Sequence, residues 1–176
     1  MKKVSVALAC ILVLVVGILL LVPGKTGRGE DFLIKAAEDN FYGEIENAKI
    51  DCIGFATDEY NKDEEHRLYW FIRSSEYTDS EYLALDVICK GKDRFRLCAA
   101  YLDPARAKDC AVVRWSDNYT CFLINNKDCT ELNIATTSGE NIMIVPVEYP
   151  FIYCHHDQYP TQCSFAFLSA DGKEIK

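Results

Sequence analysis

Residues 67–73 read Arg67-Leu68-Tyr69-Trp70-Phe71-Ile72-Arg73, five large apolar or aromatic residues held between two arginines. In an extended chain alternate side chains point to opposite faces, so Leu68, Trp70 and Ile72 share one face and Tyr69 and Phe71 the other. A strand with one wet face alternates apolar with polar; this one is apolar on both, which makes it an interior strand in the middle of the core.

Working outward, the same kind of segment recurs after polar turns at 48–56, 82–89, 94–102, 110–115, 119–124, 131–136, 142–147 and 164–169. Leu83, Leu85, Val87 and Cys89 fall on one face of their segment. Phe95, Leu97, Ala99 and Tyr101 fall on one face of the next, opposite Arg94 and Arg96. Asp117-Asn118, Ser138-Gly139 and Asp171-Gly172 are residues that tolerate the positive φ of tight hairpin turns. Pro146 cannot donate a ladder hydrogen bond, so the strand containing it belongs at an edge or a bulge. Ahead of these strands, Phe32, Leu33, Ala36, Ala37 and Phe41 recur at helical spacing within 30–42, with Glu30 and Asp31 in the first turn and Gly43 as C-cap. The expected fold is mainly β: an antiparallel meander or small β-sandwich of about nine strands, preceded by one short helix and an N-terminal transmembrane helix. The acidic stretch 58–65 reads as a solvated connection, and His66 is read as a surface residue of that connection.

The membrane helix is read from residues 4–22, an uninterrupted apolar run behind Lys2 and Lys3. As a helix, 19 residues span about 28 Å, enough to cross a bilayer. The run ends in Leu21-Val22-Pro23-Gly24-Lys25 with no small-residue cleavage pattern, which favours an uncleaved signal anchor over a cleaved signal peptide. Cys10 lies inside the run, where a lipid-attachment cysteine would not. The expected organisation is a signal anchor at 1–23, a linker at 24–29 and an extracytoplasmic domain at 30–176. Residues 23–176 hold all 27 acidic residues and 17 of the 19 basic ones, and that strongly acidic balance argues against nucleic acid as a partner.

Further likeness lies in Leu68-Tyr69-Trp70-Phe71, Gly91-Lys92-Asp93, Val112-Val113-Arg114-Trp115, the run from Phe122 to Cys129, Val147-Glu148-Tyr149-Pro150-Phe151 and the run from Phe167 to Ile175. In order and turn composition these resemble a family of small N-terminally anchored exported proteins of Gram-positive anaerobic bacteria, over about residues 44–175. The chain departs from that pattern at Asp117-Asn118, where the family turn is glycine-rich, and at Lys127, where proline is usual. The resemblance implies a bacterial surface protein and brings no catalytic or binding residue with it. It also lowers the weight of the glycosylation sequon Asn118-Tyr119-Thr120.

Cysteine is the unusual component: nine occur, eight of them beyond the anchor. An oxidising exterior permits four disulfides among Cys52, Cys89, Cys98, Cys110, Cys121, Cys129, Cys154 and Cys163, with 105 possible connectivities. Loop proximity selects Cys154–Cys163 as a disulfide, while Cys52, Cys89 and Cys98 lie inside strands and suit buried thiols. No Cys-x-x-Cys pair is present. The one dense group of ligand types is Cys154, His155, His156, Asp157 and Cys163; of these Cys154, His155, His156 and Cys163 are candidate metal ligands, although neighbours on an extended chain point apart and only some can converge. The sequence carries no nucleophile elbow, no phosphate-cradling glycine loop and no His-Glu-x-x-His pair, so an enzyme is not the expectation, and no cofactor or catalytic residue is assigned. The expected function is a binding or interaction module. The bilayer is its partner through residues 4–22, and the loops at 58–65 and 155–162 are turned to an extracytoplasmic protein or small ligand. The alternative is a metal- or thiol-dependent activity around Cys154, His155, His156 and Cys163. The expected location is the cell membrane, single-pass, with the C-terminal domain outside.

Overall fold

A computed structural model describes residues 24–59, 64–76, 79–102, 104–115, 118–157 and 163–176. The expected membrane anchor lies outside the described residues. The described residues begin with a short strand, β1 (Thr26–Arg28), and a helix, α1 (Gly29–Glu38). Four long strands follow: β2 (Lys49–Thr57), β3 (Glu65–Ser74), β4 (Glu81–Cys89) and β5 (Arg94–Leu102). Then come β6 (Ala105–Ala107), β7 (Cys110–Trp115), β8 (Tyr119–Ile124), β9 (Cys129–Ala135), β10 (Asn141–Ile144), β11 (Phe151–His156) and β12 (Ser164–Ser169).

The strands form three antiparallel sheets. The first has the order β1-β5-β4-β3-β2, the second β11-β8-β7-β6 and the third β10-β9-β12. Each sheet buries a face against the next layer, so the molecule is a stack of four layers: helix, first sheet, second sheet, third sheet. Between α1 and the first sheet lie Leu33, Ala36, Ala37, Tyr69, Phe71, Leu83, Leu85 and Val87. Leu68, Trp70 and Ala84, from the opposite face of that sheet, meet Ala111, Val113, Trp115, Cys121 and Leu123 of the second. The second sheet turns its other face, with Cys110, Val112, Phe122 and Ile124, to Cys129, Leu132, Ile134 and Phe167 of the third.

This explains the reading of residues 67–73. β3 lies between β2 and β4, with Tyr69 and Phe71 facing the helix and Leu68 and Trp70 facing the second sheet. Full burial of a Phe-sized side chain stabilises by about 1.5–3 kcal/mol, so β3 alone anchors two of the three interlayer cores. Leu83, Leu85, Val87 and Cys89 share one face, as the alternation predicts.

Several expectations are corrected. Among the described residues the fold has twelve strands in three sheets, more than the nine of a meander or two-sheet sandwich, because β1 and β6, at three residues each, are too short to show a period and β11 ends in residues that read as a polar loop. Residues 26–28 are not a loose linker: they pair with Arg94–Arg96 at the edge of the first sheet, and the Phe32 ring packs where a side chain on Gly27 would stand. Phe95, Leu97, Ala99 and Tyr101 do not share a face. Asp86 pairs with Ala99 and Val87 with Leu97, leaving Cys98 as a bulge that switches the alternation; Phe95, Leu97, Ala100 and Leu102 face the helix and Tyr101 the second sheet. Helix α1 ends at Glu38, four residues before the expected stop, and Phe41 folds back onto its core. His66 is not in the acidic connection: it is the second residue of β3, paired with Ile88. Residues 60–63 of that connection lie outside the described residues.

The turn signals at Gly139 and Gly172 are both used, with φ of 83° and 77°. Asp117 lies outside the described residues, and the β7–β8 pairing closes on Trp115 and Tyr119, which puts Cys121 opposite Val113. Pro146 follows β10, which is an edge strand of the third sheet.

Candidate functional site

The site is built at one end of the seam between the second and third sheets. β11 supplies its main side chain. This strand pairs antiparallel with β8, placing His155 opposite Thr120, and β8 pairs with β7, placing Thr120 opposite Arg114. Tyr153, two residues before His155, packs into the second-to-third-sheet core, so His155 points toward the third sheet as well. Beyond it the chain continues to Asp157, whose N–H donates to the Asn118 carbonyl at 2.9 Å and so fixes the carboxylate beside the strand end. Cys163 arrives from the other sheet, one residue ahead of β12.

Three donor atoms converge there. The ligand atoms of His155, Asp157 and Cys163 all lie within 4.8 Å of one another. Cys163 Sγ donates to Asp157 Oδ2 at 3.1 Å, and His155 Nε2 stands 3.7 Å from the same oxygen. His155 is only 9% exposed, and its Nε2 has no hydrogen-bond partner among the described residues; neither has Thr120 Oγ1 on the adjacent strand. A buried ring nitrogen without a partner costs free energy, which the fold tolerates here beside a carboxylate and a thiol. Burial, and then the Asp157 carboxylate, push the Cys163 thiol above the usual cysteine range, so it holds its proton at neutral pH.

The arrangement separates the sequence candidates. His155 and Cys163 are brought together. His156, the next residue, projects to the opposite face and packs edge-on against Tyr119, with 5.2 Å between ring centroids. Cys154 is removed altogether: it forms a disulfide with Cys121, its direct neighbour across β8 and β11, with 4.1 Å between Cα atoms. The expected Cys154–Cys163 bridge is therefore corrected. The two cysteines that pair are 33 residues apart, joined by a strand pairing that loop proximity does not reveal, and Cys163 keeps a free thiol.

The order of contacts limits the chemistry. In a thiol nucleophile the imidazole takes the thiol proton and a third group orients the imidazole. Here the carboxylate stands in the middle, accepting from the thiol and facing the imidazole. A soft sulfur, an imidazole nitrogen and a carboxylate oxygen around one small volume are instead the donor set of a zinc-class cation. Bonds of about 2.0–2.3 Å in a tetrahedral array place donors about 3.5 Å apart, a modest adjustment of the 3.1 and 3.7 Å separations seen.

A second convergence occurs at His66, Asp86 and Cys98 on the first sheet. There His66 Nδ1 already meets Asp86 Oδ1 at 3.2 Å, and Cys98, the bulge residue, is exposed. The His66 imidazole already hydrogen-bonds a carboxylate, whereas His155 Nε2 makes no hydrogen bond among the described residues. Arg106 and Arg114 line one cleft of about 430 Å³ with Tyr101, Pro104 and Phe165. Among known proteins the chain matches no family model, no curated protein and no solved structure, so the site rests on its own geometry.

Proposed function

We propose that the protein is a membrane-anchored, extracytoplasmic binding module whose ligand is a divalent cation of the zinc class, held by His155, Asp157 and Cys163. The observation that carries the reading is the convergence of those three unlike donors around a buried, unpartnered imidazole nitrogen. The apolar run at 4–22 and the Cys121–Cys154 disulfide both suit a domain displayed on the oxidising side of a membrane. Three protein ligands leave a fourth coordination position for water or for a donor from a further ligand, and that position would make the module a point of attachment.

Cobalt(II) substitution tests the proposal. The full chain, purified in detergent with its cysteine state mapped, is titrated with cobalt(II) while absorbance is read in the near ultraviolet and the visible. The expected result is one equivalent bound, with thiolate-to-cobalt charge transfer and the strong visible bands of tetrahedral cobalt. Cys163→Ser abolishes the charge transfer, His155→Ala weakens binding at least tenfold, and His156→Ala leaves both unchanged. A wild-type spectrum without charge transfer, or one that survives Cys163→Ser, overturns the reading.

A further inference from the structure

The seam that carries the cation site at one end carries a pair of thiols at the other. Cys110 opens β7 and Cys129 opens β9, so the two belong to different sheets. Both side chains are completely buried, and both face the core between the second and third sheets. Both are free thiols of the same core cluster, and their side chains interact with each other. Around them the backbone is pinned. Tyr149 Oη donates to the Cys129 carbonyl at 2.5 Å, Asn125 N–H donates to the Asp109 carbonyl at 2.9 Å, and Cys129 N–H donates to the Asn126 carbonyl at 3.1 Å. These bonds hold the start of β7, through Asp109, and the start of β9 to the two neighbouring residues Asn125 and Asn126, so the two thiols are presented side by side from facing sheets.

We propose that Cys110 and Cys129 form a second disulfide in the mature protein, clamping the second sheet to the third. The proposal is independent of the cation reading: it concerns other residues and another measurement. The oxidant is a disulfide, of a protein or a small molecule, acting as the chain folds and before Val112, Phe122, Leu132 and Phe167 close over the pair. The Cys129 thiolate attacks one sulfur of the oxidant, forming a mixed disulfide and releasing the other sulfur as a thiolate that takes up a proton. The Cys110 thiolate then attacks the Cys129 sulfur, and the second sulfur of the oxidant leaves as a thiol. The Cys110–Cys129 bond forms, the oxidant's bond breaks, and two electrons and two protons pass to the oxidant.

Its consequence concerns geometry. Four residues of β7 separate Cys110 from Arg114, which lies in the row of Thr120 and His155, and at about 3.3 Å per residue the two ends of the seam stand roughly 13 Å apart. His155 and Asp157 belong to the second sheet's end of the site and Cys163 to the third sheet's. A covalent link between those sheets fixes the spacing of the three donors.

The experiment is a disulfide map of the full chain, produced through an oxidising secretory compartment, denatured without reductant, alkylated and digested. The expected product is a linked pair of peptides containing Cys110 and Cys129 beside the Cys121–Cys154 pair, with label on Cys10, Cys52, Cys89, Cys98 and Cys163. A parallel sample is refolded from the reduced state with oxidised and reduced glutathione, so that access to the buried pair is not the limit. Label on both Cys110 and Cys129 in that sample overturns the proposal, whether or not Cys121–Cys154 has formed. Linkage of either cysteine to any other partner overturns it too.

Discussion

Arg73 and Glu81 face each other across β3 and β4, with Arg73 Nε 2.6 Å from Glu81 Oε2. The guanidinium is 95% buried, and it also donates to the Gly43 carbonyl at 2.8 Å and the Tyr42 carbonyl at 2.5 Å while lying 4.7 Å from the Phe41 ring centroid. One cation thereby ties the chain leaving α1 to the centre of the first sheet. The Glu81 carboxylate is 44% exposed.

That asymmetry predicts unequal costs. Arg73→Ala removes the cation and strands two backbone carbonyls, so it should lower stability by about 3–5 kcal/mol. Glu81→Gln leaves a hydrogen-bond acceptor in place in a half-wet setting and should cost about 1 kcal/mol or less. Urea denaturation of the two variants beside wild type measures both, and equal losses would refute this account of the clamp.

Cys98 makes a second prediction by its position and not its chemistry. Cys98→Ser, at an exposed bulge, should change stability by no more than about 0.5 kcal/mol. Deleting residue 98 sets Leu97 beside Ala99, opposite Val87 and Asp86, so a regular ladder keeps Phe95, Leu97, Ala100 and Leu102 on the helix face, and cooperative thermal unfolding should survive. Deleting residues 98 and 99 together turns one half of β5 over, directing Arg94 and Arg96 at the helix core, and should abolish it. A single deletion that melts without cooperativity would refute this account of the bulge.

Ligation of Cys163 should be visible as protection. With the cation bound, the thiolate is occupied, so alkylation of Cys163 by iodoacetamide should slow at least tenfold when zinc is added, while alkylation of exposed Cys98 is unchanged. Chelation should restore the original rate. Equal slowing at both cysteines would mark a global effect of zinc.

Alkaline pH should single out Tyr82. Its hydroxyl donates to Asp109 Oδ1 at 2.8 Å and accepts from Asn125 Nδ2 at 3.2 Å, and burial first, then Asp109, pushes the phenol far above its ordinary value. The proton is held more tightly in the folded than in the unfolded chain. The stabilisation is therefore complete below the unfolded value of about 10 and is drawn down as pH rises beyond it. Tyr82→Phe should flatten the fall in stability above that pH, measured as denaturation midpoints along an alkaline series. An unchanged slope would remove Tyr82 as its source.

How far the residues disclosed this molecule follows from what each signal depends on. β3 was legible because it is apolar on both faces, a property of seven consecutive residues. The Cys98 bulge was not, since a bulge is set by the partner strand and leaves a regular alternation in the sequence. β11 was missed although it carries the site: Pro150 precedes it and Cys154, His155 and His156 end it, so a paired strand reads as a polar loop. Within the site, the rule that neighbours on an extended chain point apart separates His155 from Cys154 and His156. Asp157 stood in the same dense group but was not chosen as a ligand, and only its fixed place after β11 selects it. The Cys121–Cys154 pairing depends on β11 returning to β8, which strand order, not spacing, decides.

Every strand of the first sheet, and the helix that covers it, comes from residues 26–102 without interruption. During synthesis, therefore, the helix and its sheet can close before any of the second sheet exists. The face bearing Leu68, Trp70 and Ala84 is bare in that interval and is covered only when β7 and β8 have been made. The time taken to synthesise residues 103–124 is thus the window in which the nascent molecule is most prone to stick to another copy, and slowing elongation there should lower its yield more than slowing it anywhere later.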